Sequence, residues 1–139
     1  MKKKILITGH LGLTGSACIE LFHKKGWEVI GLDNNSRSMF FGTEEQQGNP
    51  KCENNFINIC DESAIKGLFQ RHKFDAIIHA AAQPSHDWAT EHVIEDFLVN
   101  AYGTVVILEA ARKYCPKAAI VHVSTDKVYG ENMKIYYPD

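Results

Sequence analysis

The segment KILITGHLGLTGSACIELFHKKG, residues 4–26, leaves few ways to fold. A short Ile-rich run is followed by Gly9, Gly12 and Gly15, and then by apolar residues returning at helical spacing. Short unalternating apolar runs suit buried strands, glycines allow a tight turn and close backbone approach, and a 3.6-residue period suits a helix. The segment therefore predicts a strand running through a glycine turn into a helix. The pattern recurs in WEVIGL (27–32), FDAIIHA (74–80) and AAIVHVS (118–124), with a weaker strand expected at NFINI (55–59). Helical patterns separate these runs at residues 13–26, at 61–72, where Asp61 is a plausible N-cap, and in one long helix from about Thr90 to Tyr114.

Alternating strands and helices make right-handed βαβ units, which build an α/β, Rossmann-like, doubly wound parallel sheet. Five strands in the order 3-2-1-4-5 are expected, forming one domain over residues 1–139. The first two helices are expected on one face of the sheet and the long third helix on the other. Val93, Phe97, Val105, Ile107 and Leu108 span more than one helical stripe of that third helix, so part of its apolar surface should stay exposed. Self-association through it, giving a homo-oligomer, is the expected consequence. The stretch 34–54 is too long for an ordinary connection and reads as a functional loop.

Composition excludes several classes. A formal charge of −2 gives no reason to expect nucleic acid, and no stretch approaches the ~20 apolar residues of a membrane span. Lys2, Lys3 and Lys4 precede only three continuous apolar residues, too few for a signal peptide, so a cytoplasmic location is expected. Cys18, Cys52, Cys60 and Cys115 lack Cys-x-x-Cys spacing and read as reduced thiols. His10, His79 and His122 could approach one sheet edge, but no carboxylate or thiol lies at ligand spacing beside them. They read as structural histidines, and no metal is expected.

The chemistry concentrates where strands end. Gly9, Leu11, Gly12, Leu13 and Gly15 sit where the first strand becomes the first helix, so helix N-terminal amides can receive a pyrophosphate. Their Gly-x-x-Gly-x-x-Gly spacing differs from the G-x-G-x-x-G fingerprint. Asp33 ends the second strand about twenty residues later, where a carboxylate accepts hydrogen bonds from ribose hydroxyls and repels a 2′-phosphate. NAD is therefore expected over NADP. Arg37 has two readings, a partner for such a phosphate or a solvated loop cation.

Five motifs in order, TGHLGLTG, LDNNSR, IHAAAQPS, VNAYGTVVILEAAR and STDKVYG, resemble the extended short-chain dehydrogenase/reductases, the NAD-dependent epimerases and dehydratases of nucleotide sugars. The resemblance covers essentially the whole chain. LDNNSRSMFFG together with AAQPSHDWA is most similar to the branch that epimerises CDP-linked sugars at carbon two. It implies that Asp33 and Asn34 hold the adenosine ribose and that Ala80, Ala81, Ala82 and Gln83 wall the cofactor. Asn100 would anchor the helix leading to the active site, and Thr125 would fall on the catalytic Ser/Thr. Asn58 and Ile59 stand where many relatives have an Asp-Ile pair at adenine, so a changed adenine contact is implied. Lys127, beside Asp126, replaces the glutamate of the dehydratase turn, which disfavours water elimination. Tyr129 resembles a structural tyrosine of that turn.

The family's acid/base tyrosine lies in Tyr-x-x-x-Lys, where the ammonium lowers the phenol pKa. No tyrosine of the 139 residues has lysine four positions later. The chain is thus expected to be an N-terminal, NAD-binding portion of a nucleotide-sugar epimerase, inactive alone. The alternatives are a stand-alone NAD-binding module and a fragment of a dehydratase.

Overall fold

The structure is a computed structural model that describes residues 2–42, 44, 46–83 and 85–125. Five parallel strands, β1 (Lys4–Thr8), β2 (Glu28–Asp33), β3 (Glu53–Phe56), β4 (Ala76–His79) and β5 (Ala119–His122), form one sheet in the order β3-β2-β1-β4-β5. This is the expected Rossmann-like topology. Strand order reverses between β1 and β4, and such a switch point opens a crevice at the carboxyl edge.

Two of the expected elements shift. The third strand lies at Glu53–Phe56 rather than 55–59, ending where the Ile57 amide donates to the Asp33 carbonyl at 2.9 Å and the chain turns away. The stretch 34–54 also contains a short helix, α2 (Ser36–Phe41), entered through Asn35 in the left-handed region at φ 59°.

α1 (Leu13–Lys24) ends before Gly26, whose φ of 76° suits glycine in the turn that follows. It lies over Ile5, Ile7, Val29 and Ile78 through Ile19. α3 (Glu62–Arg71) is capped by Asp61, whose carboxylate accepts the Ala64 amide at 2.9 Å. Contrary to expectation, α3 does not share the face of α1. It packs with the last helix over Leu6, Ile30, Leu32 and Ile77, burying Ile65, Leu68 and Phe69. The reason is handedness. The β3-to-β4 connection travels back across the sheet, and a right-handed crossover in that direction must use the opposite face.

The expected single helix from Thr90 to Tyr114 is four pieces: α4 (His86–Glu91), α5 (Val93–Phe97), a π-helical turn (Leu98–Tyr102) and α6 (Gly103–Tyr114). Ser85 starts it early, its hydroxyl accepting the Trp88 amide at 3.3 Å, and His92 interrupts it with a non-helical ψ of 54°. α6 buries Val106, Ile107, Ala110 and Ala111, while Val93, Phe97, Val105 and Leu108 remain exposed, so the helix does keep an apolar outer surface.

Candidate functional site

The β1-to-α1 turn is shaped by contacts that only glycine permits. Gly9 has φ 67°, and a Cβ there would lie 2.8 Å from the Ala80 carbonyl oxygen. At Gly15 a Cβ would lie 2.1 Å from the Gly9 carbonyl oxygen. These two glycines let β1, α1 and the end of β4 meet. Gly12 differs: it is the N-cap of α1, and a Cβ would meet only the Gly9 oxygen, at 3.3 Å. The Gly12 amide donates to Gly9, while the amides of Leu13, Thr14 and Gly15 belong to the first turn, which a helix leaves without intrahelical acceptors.

Asp33 ties this turn to β2. Its Oδ2 accepts the Leu11 amide at 3.1 Å, and its Oδ1 accepts the Asn35 amide at 2.9 Å. Each oxygen keeps a lone pair for a further donor. Asn34 uses its side-chain oxygen locally, accepting the Ser36 amide at 3.1 Å, and Asn58 does the same for Cys60 at 2.9 Å.

One cleft gathers Gly9, Leu11, Gly12, Leu13 and Gly15 from the turn, Asp33 and Asn34 from the end of β2, Asn58 and Ile59 from the loop after β3, and Ala80, Ala81 and Ala82 from the loop after β4. Thr14, Leu32, Ser36, Ile57 and Val99 complete the lining without having been singled out from sequence. Thr14 was legible from its place between two of the glycines. Val99 was not, because it reaches the cleft from the π-helical turn. Arg37 lines the cleft as well and is exposed, its guanidinium carbon 4.7 Å from the centre of the Phe41 ring.

Three expected residues stand outside the lining. Gln83 and Asn100 join each other instead, the Gln83 amide donating to Asn100 Oδ1 at 3.0 Å, so Asn100 holds the loop that forms the wall. Thr125 lies exposed beyond the end of β5. Asp126, Lys127 and Tyr129 lie outside the described residues.

The buried histidines divide. His79 is enclosed between two hydroxyls, with Nδ1 2.7 Å from Thr8 Oγ1 and Nε2 3.0 Å from Thr104 Oγ1. Burial, and then the His122 ring with its centre 5.4 Å away, pushes the His79 pKa down to about 4. His10 is fully buried, and its Nε2 donates to Asn54 Oδ1 at 2.8 Å while Nδ1 has no partner among the described residues. It packs so closely on β2 that a Cβ at Gly31 would lie 2.5 Å from its ring. Among the described residues no three His, Cys, Asp or Glu side chains converge as metal ligands.

A doubly wound sheet with a glycine turn, an acidic residue ending β2 and a cleft at the switch point defines the class of dinucleotide-fold proteins. Within it, residues 5–138 match the NAD dependent epimerase/dehydratase family, and the chain belongs to that family. The chain is 34% identical over 141 residues to dTDP-glucose 4,6-dehydratase of Escherichia coli, an alignment covering 92% of this chain and 38% of that enzyme. Among solved structures it is similar to UDP-glucose 4-epimerase with UDP-glucose from Thermotoga maritima, at TM-score 0.79 and 28% identity over 93% of this chain and 40% of that one. It is also similar to the UDP-glucose 4-epimerase complex with NAD from Thermus thermophilus, at TM-score 0.68 and 28% identity over 80% of this chain and 34% of that one. The chain thus spans about 38% of the length of its curated relative.

Proposed function

We propose that this chain is the NAD-binding portion of a nucleotide-sugar enzyme that works by transient oxidation and hydride return. The observation carrying this reading is the single cleft that unites the open first turn of α1 with the Asp33 carboxylate. Pyrophosphate oxygens suit the free amides of that turn, where the helix dipole also favours negative charge. Gly12 supports this, because its missing Cβ opens the backbone at the helix mouth although the protein's own packing demands this only weakly. Asp33 would accept the ribose hydroxyls with Asn34 beside it, Asn58 and Ile59 would border adenine, and Ala80, Ala81 and Ala82 would wall the remainder. NAD bound there would supply a hydride acceptor that is regenerated within each cycle. Thr125 would hold a sugar hydroxyl, and the proton would go to a base beyond those in these 139 residues.

Epimerisation is favoured over dehydration on the sequence alone, because lysine at position 127 cannot act as the carboxylate partner in water elimination. A CDP-linked sugar altered at carbon two is the specific substrate we propose, from the resemblance of LDNNSRSMFFG and AAQPSHDWA. The dehydratase alternative keeps support from the 34% identity to a dTDP-glucose 4,6-dehydratase. Cytoplasmic residence fits the four free cysteines.

Calorimetric titration with NAD and NADP tests the cofactor reading. Saturable binding of NAD in preference to NADP is expected, and equal or tighter NADP binding overturns it.

A further inference from the structure

We infer that His79 is a positioning residue for the cofactor cleft, acting through Thr8 and Thr104 to fix the loop at residues 80–83. This rests on the NAD-binding reading for its consequence, while the clamp itself is a property of the free protein.

Proton counting fixes the arrangement. The Thr104 hydroxyl donates its only hydrogen to the Asn100 carbonyl at 2.8 Å, so its contact with His79 Nε2 requires the ring to donate. A neutral ring protonated at Nε2 is an acceptor at Nδ1, and Thr8 Oγ1 must donate there. That leaves the Thr8 hydroxyl oxygen to accept the Ala81 amide at 3.1 Å and the Ala80 amide at 3.2 Å, the latter shared with the Thr8 carbonyl at 3.3 Å. Every hydrogen in the chain runs one way, and one tautomer satisfies all of it.

The chain closes on itself around the wall. From His79 it passes through Thr104 to the Asn100 carbonyl, and the Asn100 side chain takes the Gln83 amide. The loop between His79 and Gln83 is therefore held at both ends and at its first two amides. Ala82 is the only residue of 80–83 whose amide has no partner among the described residues, and it lines the cleft. The π-helical turn belongs to the same device, since it carries Asn100 on the loop side and Val99 into the cleft. Thr8 and His79 are essentially inaccessible to water, so a lost partner there cannot be replaced from solvent.

The test uses Thr104→Val, which keeps the shape and removes the hydroxyl, and Thr104→Ser, which restores it. Circular dichroism first establishes that each variant folds. Thr104→Val is expected to speed amide hydrogen exchange at Ala80, Ala81 and Gln83 relative to Leu6 in β1, and to weaken NAD binding roughly two- to thirtyfold. Thr104→Ser is expected to return both toward wild type. Long-range ¹H–¹⁵N spectra of the ring are expected to show His79 protonated at Nε2 alone. A ring protonated at Nδ1, or wild-type exchange and affinity in Thr104→Val, overturns the inference. If the wild-type chain binds no NAD, the cofactor reading fails, and the exchange and ring spectra still decide whether the clamp exists.

Discussion

Two residues carry the sharpest expectations. Gly15 has no room for a methyl group, because a Cβ would sit 2.1 Å from the Gly9 carbonyl oxygen and the neighbouring atoms are backbone. Gly15→Ala should therefore destabilise the fold by about 3 kcal/mol, the upper part of the overpacking range, as read from urea unfolding. A change below about 0.5 kcal/mol would show that the turn can open. Asp33 is placed differently, since its two oxygens brace the glycine turn and the start of the following loop while staying partly accessible. Asp33→Ala should weaken NAD binding by roughly 1 to 3 kcal/mol, the range for hydrogen bonds to a charged group, and should narrow the preference over NADP. Arg37, already lining the cleft, would then face a 2′-phosphate without an opposing carboxylate. An unchanged NAD-to-NADP ratio in calorimetry would remove Asp33 from the selectivity. Both residues were legible in the sequence, since a glycine in a strand-to-helix turn and an acid ending β2 act through their own backbone and charge.

At the scale of elements, the network through His79 joins β1, β4 and α6, and its stability should depend on pH. The ring is neutral when folded, with a pKa of about 4, against an ordinary value of 6.5. The unfolded state thus binds the proton more readily. The stabilisation from a neutral His79 is complete above pH 6.5, is lost as pH falls from 6.5 toward 4, and changes no further below that. Integrated over this window the loss is roughly 3 kcal/mol. Unfolding free energies of wild type and His79→Gln across pH 7.5 to 4 should converge as the pH drops, and parallel curves would contradict the assignment. His122, whose ring centre lies 5.4 Å from that of His79, is the neighbour to remove in a control. This network was illegible in the chain: His79 looked structural, but its partners Thr8 and Thr104 are 71 and 25 positions away. The broken third helix was hidden for a related reason. Apolar spacing is continuous through residues 90–114, whereas the π-helical turn coincides with tertiary contacts, Cys60 Sγ donating to the Leu98 carbonyl at 3.2 Å and Tyr102 donating to Glu62.

For the molecule as a whole, the exposed outer side of the last helices bears on assembly. Val105 is 59% and Leu108 42% exposed on α6, with Val93 and Phe97 exposed on α5. Self-association through this surface is our expectation, and light scattering at high concentration should show a dimer that Val105→Glu with Leu108→Glu converts to monomer. A strictly monomeric wild-type chain would reject it. The 139-residue chain alone should not epimerise nucleotide sugars at an enzymatic rate, because general-base assistance worth ~10²- to 10⁴-fold has no Tyr-x-x-x-Lys to supply it. Turnover of a CDP-sugar by the purified chain would refute that directly. What the sequence determined by itself is the alternation of strands and helices and most of the residues that line the cleft, since glycines and caps act on their immediate neighbours; the expected 3-2-1-4-5 order holds, although alternation alone fits other doubly wound orders as well. The face of α3 follows from the right-handed crossover rule once the 3-2-1-4-5 order is given, so the expectation that it shares the face of α1 misapplies that rule. Only the tertiary structure decided that the third helix breaks and that Asn100 and His79 brace the wall rather than line it. Those outcomes depend on hydrogen bonds between residues far apart in the chain, which local patterns do not encode.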